Sequence, residues 1–129
     1  MEFKLTFSLA LRAFTGFFKA FLNELQAACE AEMIDAMTEL MTATDAGGDR
    51  LVRARAMFRM AGTYAAESAM SIVDMLAIGA GAESIFETSP LERAARDVRA
   101  AARHIAVSPG NYVVGGRMAL GLDPGTARF

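Results

Sequence analysis

The sequence predicts an all-α protein, an antiparallel up-and-down helical bundle of three long helices followed by a short C-terminal helix. No proline occurs before Pro90, so nothing of that kind breaks a helix in the first two thirds of the chain. Alanine, leucine, methionine, glutamate and arginine, which are all good helix formers, dominate the composition. Apolar side chains recur every three or four residues, the spacing of one helix face.

The first helix is expected over residues 3–45. Its apolar stripe consists of Phe7, Phe14, Phe21, Met33, Met37 and Met41. The stripe drifts around the helix, which leaves open whether the helix is continuous or bends near Asn23. Methionines at helical spacing more often fill a core than line a binding groove.

A turn and a second helix follow. Residues 45–49 have the composition of a turn, and Asp49 is the predicted N-cap of a helix over about 50–78. The Gly-Ala-Gly sequence at 79–81 ends that helix, because glycine readily adopts the left-handed conformation of a C-terminal cap.

The third helix has the clearest start signal in the chain. Ser89 is the predicted N-cap, Pro90 occupies the first helical position, and Glu92 completes a capping box. This helix is expected to run to about Val107. A shorter helix over about 111–120 completes the bundle.

The 129 residues indicate a single domain, made of a first helix and turn over 1–48 and the remaining helices over 49–129. The net charge of −2 and the lack of a basic segment argue against nucleic-acid binding. Acidic residues dominate the first part and basic residues the second. Because the short turn makes the first two helices neighbours, we expect ion pairs between them, such as Asp35–Arg59 and Glu39–Arg55.

The N-terminal segment resembles neither a signal peptide nor a membrane span, since Arg12 and Lys19 interrupt its apolar run. Cys29 is the only cysteine, so an intrachain disulfide is excluded. Both observations favour a cytoplasmic protein. An amphipathic helix over 1–22 lying on a membrane surface is a less favoured alternative.

His104 is the candidate for chemistry. It is the only histidine, and histidine is the side chain that most often serves as a general base or hydrogen-bond donor near neutral pH. On a continuous third helix it would share a stripe with Arg93 and Asp97. The sequence contains no metal-ligand spacing, phosphate loop or dinucleotide fingerprint.

The third helix and the residues after it carry a recognisable pattern: Pro90, Leu91, Arg93, Arg96, Asp97 and then His104. This pattern resembles the C-terminal domain of flavin-dependent monooxygenases built on the acyl-CoA dehydrogenase fold. Two further segments resemble parts of that domain. One is the glycine-containing turn at 79–82, and the other is the tail, with Gly116-Arg117 and the Leu-Gly-Leu-Asp-Pro sequence at 120–124. The likeness is clearest over 79–124 and extends over 49–129 as a whole. These enzymes hydroxylate phenols and steroids or oxidise sulfur heterocycles.

The resemblance implies an FMN or FAD cofactor and gives several residues a role. His104 would be catalytic: it would face the flavin and help to deprotonate the substrate or stabilise the flavin hydroperoxide. Gly79, Gly81 and Ser84 would lie near the flavin, often that of a neighbouring subunit. Arg96 and Asp97 would hold the bundle together as paired, buried charges.

The family's N-terminal helical domain and central β-barrel have no counterpart in this sequence. The resemblance therefore implies part of an oxidoreductase that is not catalytically complete alone and that needs a homo-oligomer, a dimer or tetramer, or the missing domains in trans. A non-catalytic helical interaction module that keeps only the fold is the alternative, because so many phenylalanines exceed what a three-helix domain can hide.

Overall fold

The computed structural model describes residues 2–126, and within this range the side chains of 2–11, 14–15, 17–18 and 83–84 lie outside the description. Its helices are α1 (Glu2–Ala46), α2 (Gly48–Ala80), α3 (Pro90–Ala101) and α4 (Gly110–Ala119), with 3-10 turns at Gly81–Ile85 and Ile105–Val107. Residues 2–126 contain no strand. The predicted all-α helical bundle is therefore confirmed. No helix in this range is long and apolar enough to cross a membrane.

The first two helices form a tight antiparallel hairpin. α1 is one continuous helix, with no break near Asn23. Only Gly47 separates it from α2, and Gly47 and Gly48 have φ angles of +63° and +58°, which favour glycine. The predicted N-cap role of Asp49 is wrong, because Gly47 occupies the cap and makes no side-chain bond. Asp49 lies in the first turn of α2, where its carboxylate meets the positive end of the helix dipole.

α2 is the centre of the molecule, since α1, α3, α4 and both 3-10 turns all pack against it. The buried apolar side chains of the described residues are small: Ala43, Ala54, Ala56 and Ala95. Small side chains let helices approach closely, but they bury little apolar area. Large apolar side chains are accordingly left at the surface of the molecule.

The exposed apolar surface is extensive. Among the methionines expected to fill a core, Met33 is half-buried, whereas Met37 and Met41 are 43% and 68% exposed, so the core prediction is wrong for these two. The chain exposes 9363 Å² in all. A compact monomer of this mass exposes about 6,600 Å². The chain therefore leaves far more surface uncovered than a compact monomer does.

α3 starts as predicted but ends early. Ser89 is the N-cap and Pro90 the first helical residue, yet Ser89 makes no side-chain cap bond, so the predicted capping box does not form. Glu92 lies instead 3.1 Å from the guanidinium of Arg96, one turn along the same helix. α3 ends at Ala101 and not at the predicted Val107.

A buried polar link explains the early end of α3. Thr63, in the middle of α2, is fully buried, and its hydroxyl accepts a hydrogen bond from the Asn111 amide at 2.9 Å. The same amide donates to the carbonyl of Ala106, also at 2.9 Å. The Thr63 hydroxyl lies 3.3 Å from the carbonyl of Ser108. These bonds hold residues 105–111 against α2, a course that a continued helix could not follow.

Candidate functional site

His104 lies where the chain turns from α3 into the second 3-10 turn. Its backbone is extended, with φ −68° and ψ 138°, so the predicted stripe with Arg93 and Asp97 on one helix is wrong. The side chain is exposed, and its Nδ1 accepts the backbone N–H of Ala106 at 3.2 Å. In a neutral imidazole this bond puts the proton on Nε2. His104 therefore presents a hydrogen-bond donor at its outer nitrogen.

A cleft of about 470 Å³ lies between α1, α2 and the second 3-10 turn, the turn that begins directly after His104. We call it the His104-side cleft, and it is lined by Met33, Leu40, Arg55, Phe58, Arg59, Gly62, Ala106 and Val107. Apolar side chains line most of it, and two guanidinium groups come from successive turns of α2. Such a cleft suits a flat apolar group that carries a negative charge.

The inter-helix pair predicted between Glu39 and Arg55 does not form. Glu39 is bound by Arg50, with N–O distances of 3.0 and 3.1 Å, and not by Arg55. The Arg50 guanidinium lowers the pKa of the Glu39 carboxyl. Asp35 lines a cleft on the other side of α1 from the one that Arg59 lines.

The glycine turn at the end of α2 contains two glycines with different requirements. Gly81 caps the helix with φ +66°, and its N–H donates to the carbonyls of Ala77 and Ile78. A side chain there would be strained. At Gly79 an added Cβ would meet nothing within 4 Å, so the fold of one chain does not require glycine there. The side chain of Ser84 lies outside the described residues.

One chain does not bring the predicted site residues together. The second 3-10 turn packs at the level of Gly62, where an added Cβ would lie 3.6 Å from Val107. Gly81 lies roughly 28 Å farther along α2 at the usual helical rise. Within one chain, the turn that follows His104 and the glycine turn therefore lie at well-separated levels of α2.

The charges of α3 differ from the expectation of buried pairs. Arg96 and Asp97 are both exposed, and among the described residues Arg96 forms an ion pair with Glu92 of its own helix. Arg99 instead binds the carboxylate of Asp74 and joins α3 to α2. No group of three or more His, Cys, Asp or Glu side chains in the described part of the chain could hold a metal ion.

The fold and the site define a class: a helical domain that centres on one long helix and carries a histidine directly before a turn that lines a basic, apolar cleft. The family model described as acyl-CoA dehydrogenase, C-terminal domain, matches residues 21–109, and the chain belongs to this family. The match includes the second half of α1, which the sequence motifs left out, and it ends before α4. Searches of curated proteins and of solved structures found no match.

The cleft residues 55, 58 and 59 were not predicted to be site residues from the sequence. Arg55 and Arg59 are one turn apart on α2, and Phe58 lies between them. This arrangement is a sequence signal for a basic, apolar surface. The sequence analysis instead predicts that these arginines pair with acidic residues of α1, because the sequence does not show that Glu39 pairs with Arg50.

Proposed function

We propose that this chain is the C-terminal helical domain of a flavin-dependent oxidoreductase, of the monooxygenase or acyl-CoA dehydrogenase-like kind. In this role it contributes to the flavin site and to assembly of the oligomer. The family match over residues 21–109 carries the proposal. The His104-side cleft supports it, because apolar walls suit a flavin ring and guanidinium groups suit a flavin phosphate.

The residues present fit part of a flavin site. The proposed arrangement uses Arg55 to bind the phosphate, and Phe58 with Met33 to pack on the ring. The Nε2–H of His104 would donate a hydrogen bond at the cleft mouth. Bound flavin, FMN or the FAD typical of this family, would supply the redox chemistry. His104 in this tautomer acts as a donor, since accepting a proton at Nδ1 would break its bond to Ala106.

The proposed site is completed by a second chain. Because the glycine turn is far from His104 in one chain, its role near a flavin requires Gly79 and Gly81 from a neighbouring subunit. A dimer or tetramer would supply them. The proposal also places the chain in the cytoplasm.

Titration with FMN and FAD, oxidised and then anaerobically reduced, tests the flavin proposal. We expect saturable binding, seen by flavin fluorescence and absorbance, that weakens about 10-fold in His104→Ala through loss of a hydrogen bond to the ligand. Arg93→Ala, on the exposed face of α3, is the control and should bind like the wild type. Absence of binding at every flavin concentration would refute the proposal.

Gly79→Ala tests whether a ligand or a second chain approaches the glycine turn. In the free chain this substitution should raise the free energy of unfolding by about 0.5–1 kcal/mol, because it removes a helical glycine in open space. If flavin packs against the turn, the same variant should bind flavin more weakly despite its greater stability. Urea unfolding and the flavin titration together separate the two effects. Unchanged flavin affinity would exclude close approach at Gly79.

The alternative is a non-catalytic oligomerisation module, and one observation favours it. Ile34, Met37 and Met41 form an exposed apolar stripe on α1, with exposed fractions of 65%, 43% and 68%. A stripe of this kind on a long helix is typical of helix–helix interfaces. In this interpretation the chain keeps the fold of its family and associates through α1 without binding a flavin.

Analytical ultracentrifugation of the chain and of Ile34→Glu tests association through this stripe. We expect a dimer or tetramer that dissociates in Ile34→Glu, because a buried unpaired carboxylate is costly. Thr42→Glu places the same charge on a more polar part of α1 and should leave the assembly intact. An oligomer without flavin affinity would favour the interaction module. A monomer at all concentrations would count against both forms of the proposal.

A further inference from the structure

A second cleft lies on the opposite side of the α1–α2 hairpin from the His104-side cleft. It has a volume of about 520 Å³ and is formed by α1, α2 and α4. Met57 and Met60 form its apolar floor, and Tyr64 and Tyr112 contribute rings from two different helices. We call it the tyrosine cleft. Its size and apolar lining are those of a small-molecule site.

The Tyr112 ring is held in place as a neutral aromatic group. The Tyr112 hydroxyl donates a hydrogen bond to the Glu67 carboxylate at 3.0 Å. Burial, followed by this bond, raises the pKa of Tyr112 to about 12. Glu67 thereby fixes the Tyr112 ring at the cleft wall. The face of a neutral tyrosine ring attracts cations.

The rim on the α1 side carries negative charge. Glu32, Asp35 and Glu39 line it on successive turns, and Arg50 neutralises Glu39. Glu32 and Asp35 make no ion pair with any residue that the structure describes. Arg53, with Met57, lines the adjoining depression beyond Glu39. The tyrosine cleft therefore combines an apolar floor, two aromatic rings and two carboxylates without a partner.

We propose that the tyrosine cleft binds a small organic cation with an apolar body, such as a quaternary ammonium or aromatic amine. The charge would lie between the rings and the carboxylates of Glu32 and Asp35, while the apolar body would cover Met57 and Met60. The same carboxylates repel phosphates and carboxylates. The cleft is thus unsuited to a flavin phosphate, and its ligand class differs from that of the His104-side cleft.

The chain carries its own reporter for this site. Tyr64 and Tyr112 are the only tyrosines, and there is no tryptophan. Intrinsic fluorescence at wavelengths longer than phenylalanine emission therefore comes from this cleft. We expect benzyltrimethylammonium to change this emission saturably at constant ionic strength. Benzyl alcohol and benzoate, which share the ring but lack the positive charge, should bind at least about 10-fold more weakly if one desolvated cation–π contact contributes.

Variants that remove negative charge inside and outside the cleft test whether the rim carboxylates bind the cation. The double variant Glu32→Gln/Asp35→Asn keeps the shape of the rim and should weaken binding of benzyltrimethylammonium about 5- to 20-fold. Glu24→Gln removes one charge from the same helix outside the cleft and should bind like the wild type. Tyr64→Leu should weaken cation binding while leaving the helical circular dichroism unchanged, since Tyr64 is 40% exposed.

Three results would overturn the proposal. The first is emission that does not respond to the cation at any concentration. The second is an equal response to the cation, the alcohol and the anion, which would show an apolar groove without charge selection. The third is emission that changes on dilution of the protein and not with the cation, which would show that a second copy of the chain covers the cleft. None of these results bears on flavin binding.

Discussion

Thr63→Val is expected to lower the free energy of unfolding by about 2 kcal/mol, although it changes the shape of the side chain very little. The Thr63 hydroxyl accepts one hydrogen bond from Asn111 and donates along α2 to the carbonyl of Arg59 at 2.9 Å. Valine leaves one N–H of the Asn111 amide unpaired in a site where Asn111 is only 5% exposed. In the variant, the buried Asn111 N–H would have no acceptor, which costs its full desolvation energy. In the wild type, the Thr63 hydroxyl and this N–H satisfy each other.

Urea unfolding followed by circular dichroism measures this effect, and Thr38→Val is the matched control. Thr38 makes the same bond to the carbonyl four residues back, at 2.8 Å to Ile34, but it is exposed on α1. Its replacement should change the free energy of unfolding by less than about 0.5 kcal/mol. Equal effects of the two substitutions would mean that the buried link between α2 and α4 contributes nothing to stability.

The same link shows where prediction from the sequence succeeds and where it ends. Helices α1, α2 and α4 were predicted to within about two residues, because glycine turns and helical periodicity are local signals. The end of α3 was not, because it depends on Asn111 bonding to Thr63, 48 residues earlier. Nothing in the surroundings of either residue distinguishes it from other polar residues of a helix. Tertiary hydrogen bonds of this kind override local propensity.

The candidate site divides in a similar way. His104 was found through the resemblance, as the single histidine after a family-like sequence, and it directly precedes the 3-10 turn that lines a cleft. The cleft itself could not be predicted, since it depends on which arginines the acidic residues of α1 bind. Glu39 forms an ion pair with Arg50 near the hairpin turn, which holds the two helices close together. Arg55 is consequently left to line the His104-side cleft.

The packing of α4 on α2 rests on a different feature, the lack of a side chain at Gly115. A Cβ built there would lie 1.9 Å from the Met60 sulfur and 3.1 Å from its methyl carbon. Such distances cannot persist, so any larger residue would push α4 away from α2 or force Met60 out of its rotamer. The adjacent Gly116 is also helical, yet an added Cβ there meets nothing within 4 Å.

Gly115→Ala and Gly116→Ala therefore form a matched pair in which only the steric clash differs. Both substitutions gain about 0.5–1 kcal/mol from helix propensity. Overpacking at Gly115 should cost about 1–3 kcal/mol, so that Gly115→Ala unfolds more easily than Gly116→Ala in urea. Met60→Ala should remove the difference, because the clash needs the Met60 sulfur. Since Met60 also forms the floor of the tyrosine cleft, Gly115→Ala should alter tyrosine emission while Gly116→Ala leaves it unchanged. Equal stability of the two variants would show that α4 does not pack on Met60 as closely as described.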